Sequence, residues 1–383
     1  MTEIKRISVL WKPFDPLLYA NMKTEALLAG LGVDTGRLLP LAALQKLLKG
    51  AVRFIDPALG VAAIDKISDL VVVVGTTPAQ AQAQGVDATF ISALKTPVMA
   101  VDLAIEALDA SAIAWFRAFG DGLNIRVNSE VDQAALRAAG VSGVACGASL
   151  SQFINPAPDL GVRIAANWAR HKLPEAICVV AGHKNRTRPA ERALLALAFD
   201  GPVQGGYIVQ HGLGALQMAR GEFAPVSKAD FAALKRRFNP DMPDAAFRRF
   251  CRNHLRAYFN TGAWMDSLRR YDLVAGGSFQ GVALALQTQR MGLMVVEDSA
   301  TESACASAGL PYIRAHDFAP GAGREYLKSI INFTPVRYQA IRQKAAEGLY
   351  GFMRENSVEL SPPFMRLLGD APRAKTDGKN ANG

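Results

Sequence analysis

The feature that most constrains this fold is a set of short, unbroken apolar runs, of which Leu70–Val74 and Ala176–Val180 are the purest. A strand with one wet face alternates apolar and polar residues, whereas a strand that is apolar at every position must be covered on both faces. The runs also fall far below the roughly 20 apolar residues that cross a bilayer as a helix. Helix-like segments separate them. Covered strands alternating with helices predict an α/β fold, with parallel sheets carrying helices on both faces.

The alternation can be followed along the chain. Ile7–Trp11 is a strand and Leu17–Leu31 a helix; Asp69–Val74 and Pro97–Val101 are strands, and a helix is expected from Asp102 to Phe119. Leu123–Val127 is a short strand, after which Ser129 caps a helix over Glu130–Ala139 that stops at Gly140. Asn155-Pro156-Ala157-Pro158 then breaks the pattern, because proline lacks a donor and blocks helix. Beyond it the pattern restarts, with helix Val162–His171, strand Glu175–Val180, a helix opening at Pro189 and strand Gly206–Gln210. Helices over Asp244–Phe259 and Trp264–Arg270, strand Tyr271–Ala275, helix Gly281–Thr288 and strand Gly292–Val296 follow. The series ends with a helix over Thr301–Ala308, closed by Gly309, and a long helix over Ile330–Arg354. This predicts a first domain over 1–155, a second over 159–320, a helical segment over 321–360 and a polar, disordered tail over 364–383. Trp115, Trp168 and Trp264 fall at helical positions and are expected in the core.

A chain of 383 residues, half apolar and a fifth charged, suits two globular domains. Met1 to Phe14 reads as a charged lead into the first strand and not as a signal peptide, so a cytoplasmic protein is expected. Cys146, Cys178, Cys251 and Cys305 are widely spaced and form no CxxC pair, which fits reduced thiols. No cluster has metal-ligand spacing and no dinucleotide or Walker fingerprint occurs, so neither metal nor cofactor is expected. The net charge of +9 gathers at His183–Arg188 and along Lys235–Arg256. Such basic patches attract phosphorylated substrates, anionic lipid or nucleic acid; without aromatic-interleaved motifs or zinc fingers, nucleic acid is not expected. Phe238, Phe247 and Phe250 interleave the second patch, as in a helix resting on the inner face of a membrane or in a solvated helix with a buried stripe.

In open α/β sheets, ligands bind beyond the carboxyl ends of the strands. Four loops hold that position: Gly75–Pro78, Gly182–Arg188, His211–Gly214 and Gly276–Gly281. Gly276, Gly277, Ser278 and Gly281 join a strand to an Ala-rich helix, as either a tight turn or an anion cradle at a helix N-terminus. Lys184, Arg186 and Arg188 form a solvated basic loop or a clamp for phosphate or carboxylate. His211 is a histidine bonded at a strand end or an imidazole facing a cleft. Asp298 and Ser299 cap a helix or contact a ligand, and Thr76 and Thr77 are turn hydroxyls or bonds to an acceptor sugar.

The run from Tyr271 to Gln287, with Val295 to Glu302 after it, resembles the C-terminal signature of the polysaccharide pyruvyl transferase family. The stretch from Leu123 through Ser129 to Gly140-Val141 resembles that family's strand-Arg-x-x-Ser-helix element, which makes Arg126 either a candidate donor contact or one side of a structural ion pair with Glu130 or Asp132. The resemblance implies two Rossmann-like domains facing a cleft, a GT-B-like arrangement, with the C-terminal helix returning to the first domain. It implies phosphoenolpyruvate or another anionic donor, a glycan or lipid-linked sugar acceptor, and a role in surface-polysaccharide assembly. Ser278 stands where the family has arginine and Gln280 where it has histidine. Neither residue is a cation or a competent acid near neutral pH, so for pyruvyl transfer the catalytic proton falls first to His211, with His316 as the fallback and Gln280 retaining the family's position. Two alternatives remain: a GT-B glycosyltransferase using a nucleotide sugar, and a family member that binds a glycan or protein partner without turnover.

Overall fold

The structure, a computed structural model, describes residues 4–11, 21–31, 35–103, 105, 107–182, 189–199, 204–319, 321 and 323–369. Twelve strands are assigned among them. In the first half these are β1 (Arg6–Leu10), β2 (Ala51–Ile55), β3 (Leu70–Val74), β4 (Val98–Leu103), β5 (Ile125–Val127) and β6 (Val144–Cys146). In the second they are β7 (Ala176–Val180), β8 (Gln204–Ile208), β9 (Leu255–Arg256), β10 (Leu273–Gly276), β11 (Met291–Val296) and β12 (Tyr312–Arg314). They form two six-stranded sheets, ordered β2-β1-β3-β4-β5-β6 and β12-β11-β10-β7-β8-β9. Every pairing within them is parallel. Counted from its own first strand, the second sheet runs third, second, first, fourth, fifth, sixth, which is the doubly wound order. The protein is thus an α/β chain of two Rossmann-like units facing a cleft.

The unbroken apolar runs are the central strands, as the sequence predicts. β3 and β7 are buried at every position, and so are β10 and β11. The strands that sequence reading misses, β2, β6, β9 and β12, are the edges of the two sheets, where one face stays wet and the apolar run is diluted; β9 falls inside the helix expected over Asp244–Phe259, which ends at His254. The helix expected from Asp102 to Phe119 is corrected. β4 runs on through Leu103, which pairs with Val127, and the helix spans Ala110–Arg117 behind an Asp109 cap. The long helix expected over Ile330–Arg354 is two helices, Arg324–Ile330 and Pro335–Glu355, with Pro335 opening the second. The tail expected from 364 is corrected over its first residues: Pro362–Leu367 is a helix, because Phe364 and Leu367 are buried. Phe364 meets Phe153 edge-on with ring centroids 5.5 Å apart. Residues 370–383 lie outside the described residues.

Trp115 and Trp264 are wholly buried, and Trp115 donates to Val86 O at 2.8 Å. The halves share one buried apolar cluster, and specific polar contacts join them as well. Thr35 N donates to Gln210 O at 3.0 Å and Thr261 Oγ1 to Leu38 O at 3.3 Å. Leu360, near the C-terminal end of the described chain, bridges antiparallel to Leu48 of the first half. Arg342, fully buried in the helix Pro335–Glu355, donates to the carbonyls of Gln152, Asn155 and Ala157 in the segment that joins the two units.

Candidate functional site

The strand order of the second sheet reverses between β7 and β10, and a cavity of about 220 Å³ opens there beyond the carboxyl ends. Gly182 follows β7, Gly276 ends β10 with Gly277 after it, Glu297 and Asp298 come from the turn after β11, and Thr301 comes from the helix that begins there. Glu191 and Leu194, on the helix Pro189–Phe199, close one side. The glycines are demanded by packing. Gly276 has φ +150°, and a Cβ on it would collide with Val180 O. A Cβ on Gly277 would stand 2.8 Å from Gly182 Cα, and one on Gly281 2.8 Å from Val180 Cγ1. The β10 turn therefore presses its backbone against the end of β7, and that contact shapes the cavity floor.

Ser278 begins the helix Phe279–Gln287 as its N-cap. Its Oγ accepts from Gly281 N at 3.1 Å and also from Gln210 Nε2, so the hydroxyl is engaged within the fold. Asp298 caps the helix Ser299–Ala308, accepting from Thr301 N at 2.7 Å and Thr301 Oγ1 at 3.0 Å, and it faces the cavity as well. Buried Glu191 accepts from Tyr207 OH at 2.5 Å, and Arg237 Nη1 donates to that same hydroxyl at 3.3 Å. Burial first, then the neighbouring carboxylate, pushes the Tyr207 phenol well above its usual range.

A second cavity, about 260 Å³, lies across the cleft at the carboxyl ends of β3 to β6. Thr76 and Thr77 follow β3, Asp102 sits within β4, Asn128 follows β5, and Ser149 and Gln152 follow β6. The second unit closes it with Phe279, Gln280, Ala304 and Ser307. Thr301 faces the first cavity and Ala304 and Ser307 the second, three residues apart along one helix, so the two cavities are neighbouring parts of one cleft. Asp102 stands at a register shift in β4 with φ +58°, a left-handed conformation that costs a non-glycine residue on the order of 1 kcal/mol. Its Oδ2 accepts from Ser149 Oγ and from Leu150 N, both at 2.9 Å. Burial raises its carboxyl above the usual range, against hydrogen bonds from Ser149 and Asn128 and the charge of Arg126. Arg126 is 1 % exposed and donates from Nη2 to Ala148 O at 2.8 Å; burial lowers its guanidinium, with Asp102 opposing.

The fold therefore gathers Gly276, Gly277 and Asp298 at one cavity and Gln280 at the other. Ser278 and Gly281 lie beneath the turn between them, and Arg126 lies under the second cavity. Ser299 is exposed at its helix start and is absent from both described linings. His211, half-buried before the helix Leu213–Ala219, is also absent from both. Lys184, Arg186 and Arg188 lie outside the described residues. In the basic segment, Phe247 is buried and Phe238 and Phe250 pack with Phe199, while Arg248 stacks over Phe223 at 5.0 Å and Phe231 at 4.9 Å. Sequence reading misses Asp102, Asn128, Gln152 and Glu191. Asp102 carries a signal, a lone carboxylate ending an apolar run, but the pattern places it at a helix start. Among the described residues no group of His, Cys, Asp and Glu could hold a metal ion, and no helix is long and apolar enough to cross a membrane.

No family model matches this chain, and no curated protein matches it. Solved structures similar to it include Alr3699/HepE of Anabaena in complex with UDP-glucose, at TM-score 0.43 and 14 % identity over 91 % of this chain and 100 % of that one. UDP-GlcNAc 2-epimerase of Methanocaldococcus jannaschii is similar at TM-score 0.41 and 11 % identity, covering 94 % and 95 %. A trehalose-6-phosphate synthase is similar at TM-score 0.37 and 10 % identity, covering 92 % and 96 %. Similarity this low says nothing of activity, and the architecture rests on the sheet orders given above.

Proposed function

We propose that this chain is a group transferase acting on a sugar hydroxyl, with a nucleotide sugar as donor at the switch point of the second sheet. The observation that carries this reading is the lining of that cavity. Its described lining offers the carboxylates of Glu191, Glu297 and Asp298 and the glycine backbone at 182, 276 and 277, with no lysine or arginine among them. Carboxylates accept hydrogen bonds from ribose and sugar hydroxyls. The turn into the helix Phe279–Gln287 presents backbone at a helix N-terminus, which suits a diphosphate. Transfer then needs the acceptor hydroxyl on the other side of the cleft, where the second cavity lies.

A second reading, pyruvyl transfer from phosphoenolpyruvate, is supported by the run Tyr271–Gln287. It requires a cation for the donor and an acid to protonate its methylene carbon. Ser278 is engaged as a helix cap and Gln280 is neutral, so this reading rests on Lys184, Arg186, Arg188 and His211 instead. Calorimetric titration of the full chain with UDP, GDP and phosphoenolpyruvate separates the two. Saturable binding of a nucleoside diphosphate that weakens in Asp298→Asn is the expected result. Binding of phosphoenolpyruvate alone, with phosphate released in the presence of glycans, would overturn the first reading in favour of the second.

A further inference from the structure

Around the carboxyl ends of β4 to β6, three side-chain atoms are buried without a hydrogen-bond partner: Arg126 Nη1, Asn128 Oδ1 and Gln152 Nε2. A buried polar atom left unpaired destabilises a fold, and three in one place call for an explanation. They surround Asp102, whose carboxylate is buried and whose backbone holds a positive φ at a register shift. Strain of this kind collects where a side chain must be aimed. Asp102, Asn128, Ser149 and Gln152 all line the cavity of about 260 Å³ on the cleft. That is far more room than the roughly 10–15 Å³ that one ordered water needs.

The polarity of the orphan atoms selects a ligand. Asn128, in the same lining as Asp102, leaves Oδ1 as an unpaired acceptor. Gln152, only 3 % exposed, offers an unpaired donor at Nε2. Acceptor and donor in one small cavity match a hydroxyl, which gives one hydrogen bond and takes others. A phosphate or carboxylate would instead meet Asp102 and Asn128 Oδ1, acceptors both. Arg37 is a cation in the lining, but it directs Nε to Gly75 O and Nη1 to Leu31 O, each at 2.9 Å. Arg126 balances the charge of Asp102 without being among the described lining residues.

We propose that this cavity is a recognition site for a neutral polyhydroxylated ligand, a sugar, held by Asp102, Asn128 and Gln152 of the first unit and covered by Gln280 of the second. The site is built from residues other than those of the donor cavity and stands whichever donor is used. Saturation-transfer NMR on the full chain tests it with methyl glucoside, methyl galactoside and methyl mannoside as probes and inorganic phosphate as competitor. At least one glycoside should show transfer, and its affinity should fall about tenfold in Gln152→Met and in Asp102→Asn. Asparagine tolerates the positive φ and keeps an oxygen for Leu150 N. Should Asp102→Asn fail to fold, Gln152→Met decides alone. No transfer from any glycoside at millimolar concentration would mean that only ordered water fills the cavity. That result, unchanged affinity in the folded variants, or displacement by phosphate overturns the proposal. Nucleotide binding, read separately, leaves the donor reading standing or falling by itself.

Discussion

Arg342 gives the most exacting test of how the two units are joined. It is wholly buried, and it directs Nε to Gln152 O at 3.3 Å, Nη1 to Ala157 O at 2.7 Å and Nη2 to Asn155 O. Replacement by methionine roughly preserves volume and deletes all three bonds. Hydrogen bonds from a charged donor contribute about 1.5–3 kcal/mol each, a gross loss of roughly 4–9 kcal/mol. Against this, the desolvation of a buried guanidinium costs several kcal/mol and is recovered. Burial already holds this arginine below its usual pKa. The acceptors on Asn155 and Ala157 lie in part-buried bonds and can take water in its place. A net destabilisation of about 2–4 kcal/mol follows. Lysine at 342 keeps the charge but not the fork, so its effect should lie between. Urea unfolding followed by tryptophan fluorescence reads the loss, and limited proteolysis reads the linker. The methionine variant should unfold at lower urea and be cut within 152–158. A change below about 0.5 kcal/mol with no new cleavage would refute the reasoning, because surface-like substitutions fall in that range.

Two further outcomes are expected. Asp69 accepts from the Arg6 side chain at 2.6 and 3.1 Å and from the backbone N of Lys5 and Arg6, and these bonds hold its carboxyl at about 2. Its folded value lies below the unfolded one, so its stabilisation is present above about pH 4 and is lost as pH falls toward 2. Asp69→Asn should therefore unfold more easily than the parent at pH 7 and by a much smaller margin at pH 2, and a pH-independent gap would contradict this. Ser278→Ala should lower stability by about 1–3 kcal/mol, because it removes a helix cap and leaves buried Gln210 Nε2 without its partner. An unchanged melting temperature would instead make Ser278 a pure ligand contact.

The sequence alone determined the parallel α/β class, because β3, β7, β10 and β11 must be covered on both faces and their composition says so. It also placed the caps at Ser129 and Asp298, since backbone chemistry at those points is local. The edge strands were hidden, since half-solvated residues dilute the apolar signal. The glycines of 276–281 had two readings in sequence, and only the approach of the β10 turn to Val180 and Gly182 showed that packing requires them. The cleft residues were less visible still. Asp102, Asn128 and Gln152 are far apart along the chain and unremarkable in composition. Only the winding of one parallel sheet brings the ends of β4, β5 and β6 together, so that Asn128 and Gln152 gather at one cavity with the buried carboxylate of Asp102.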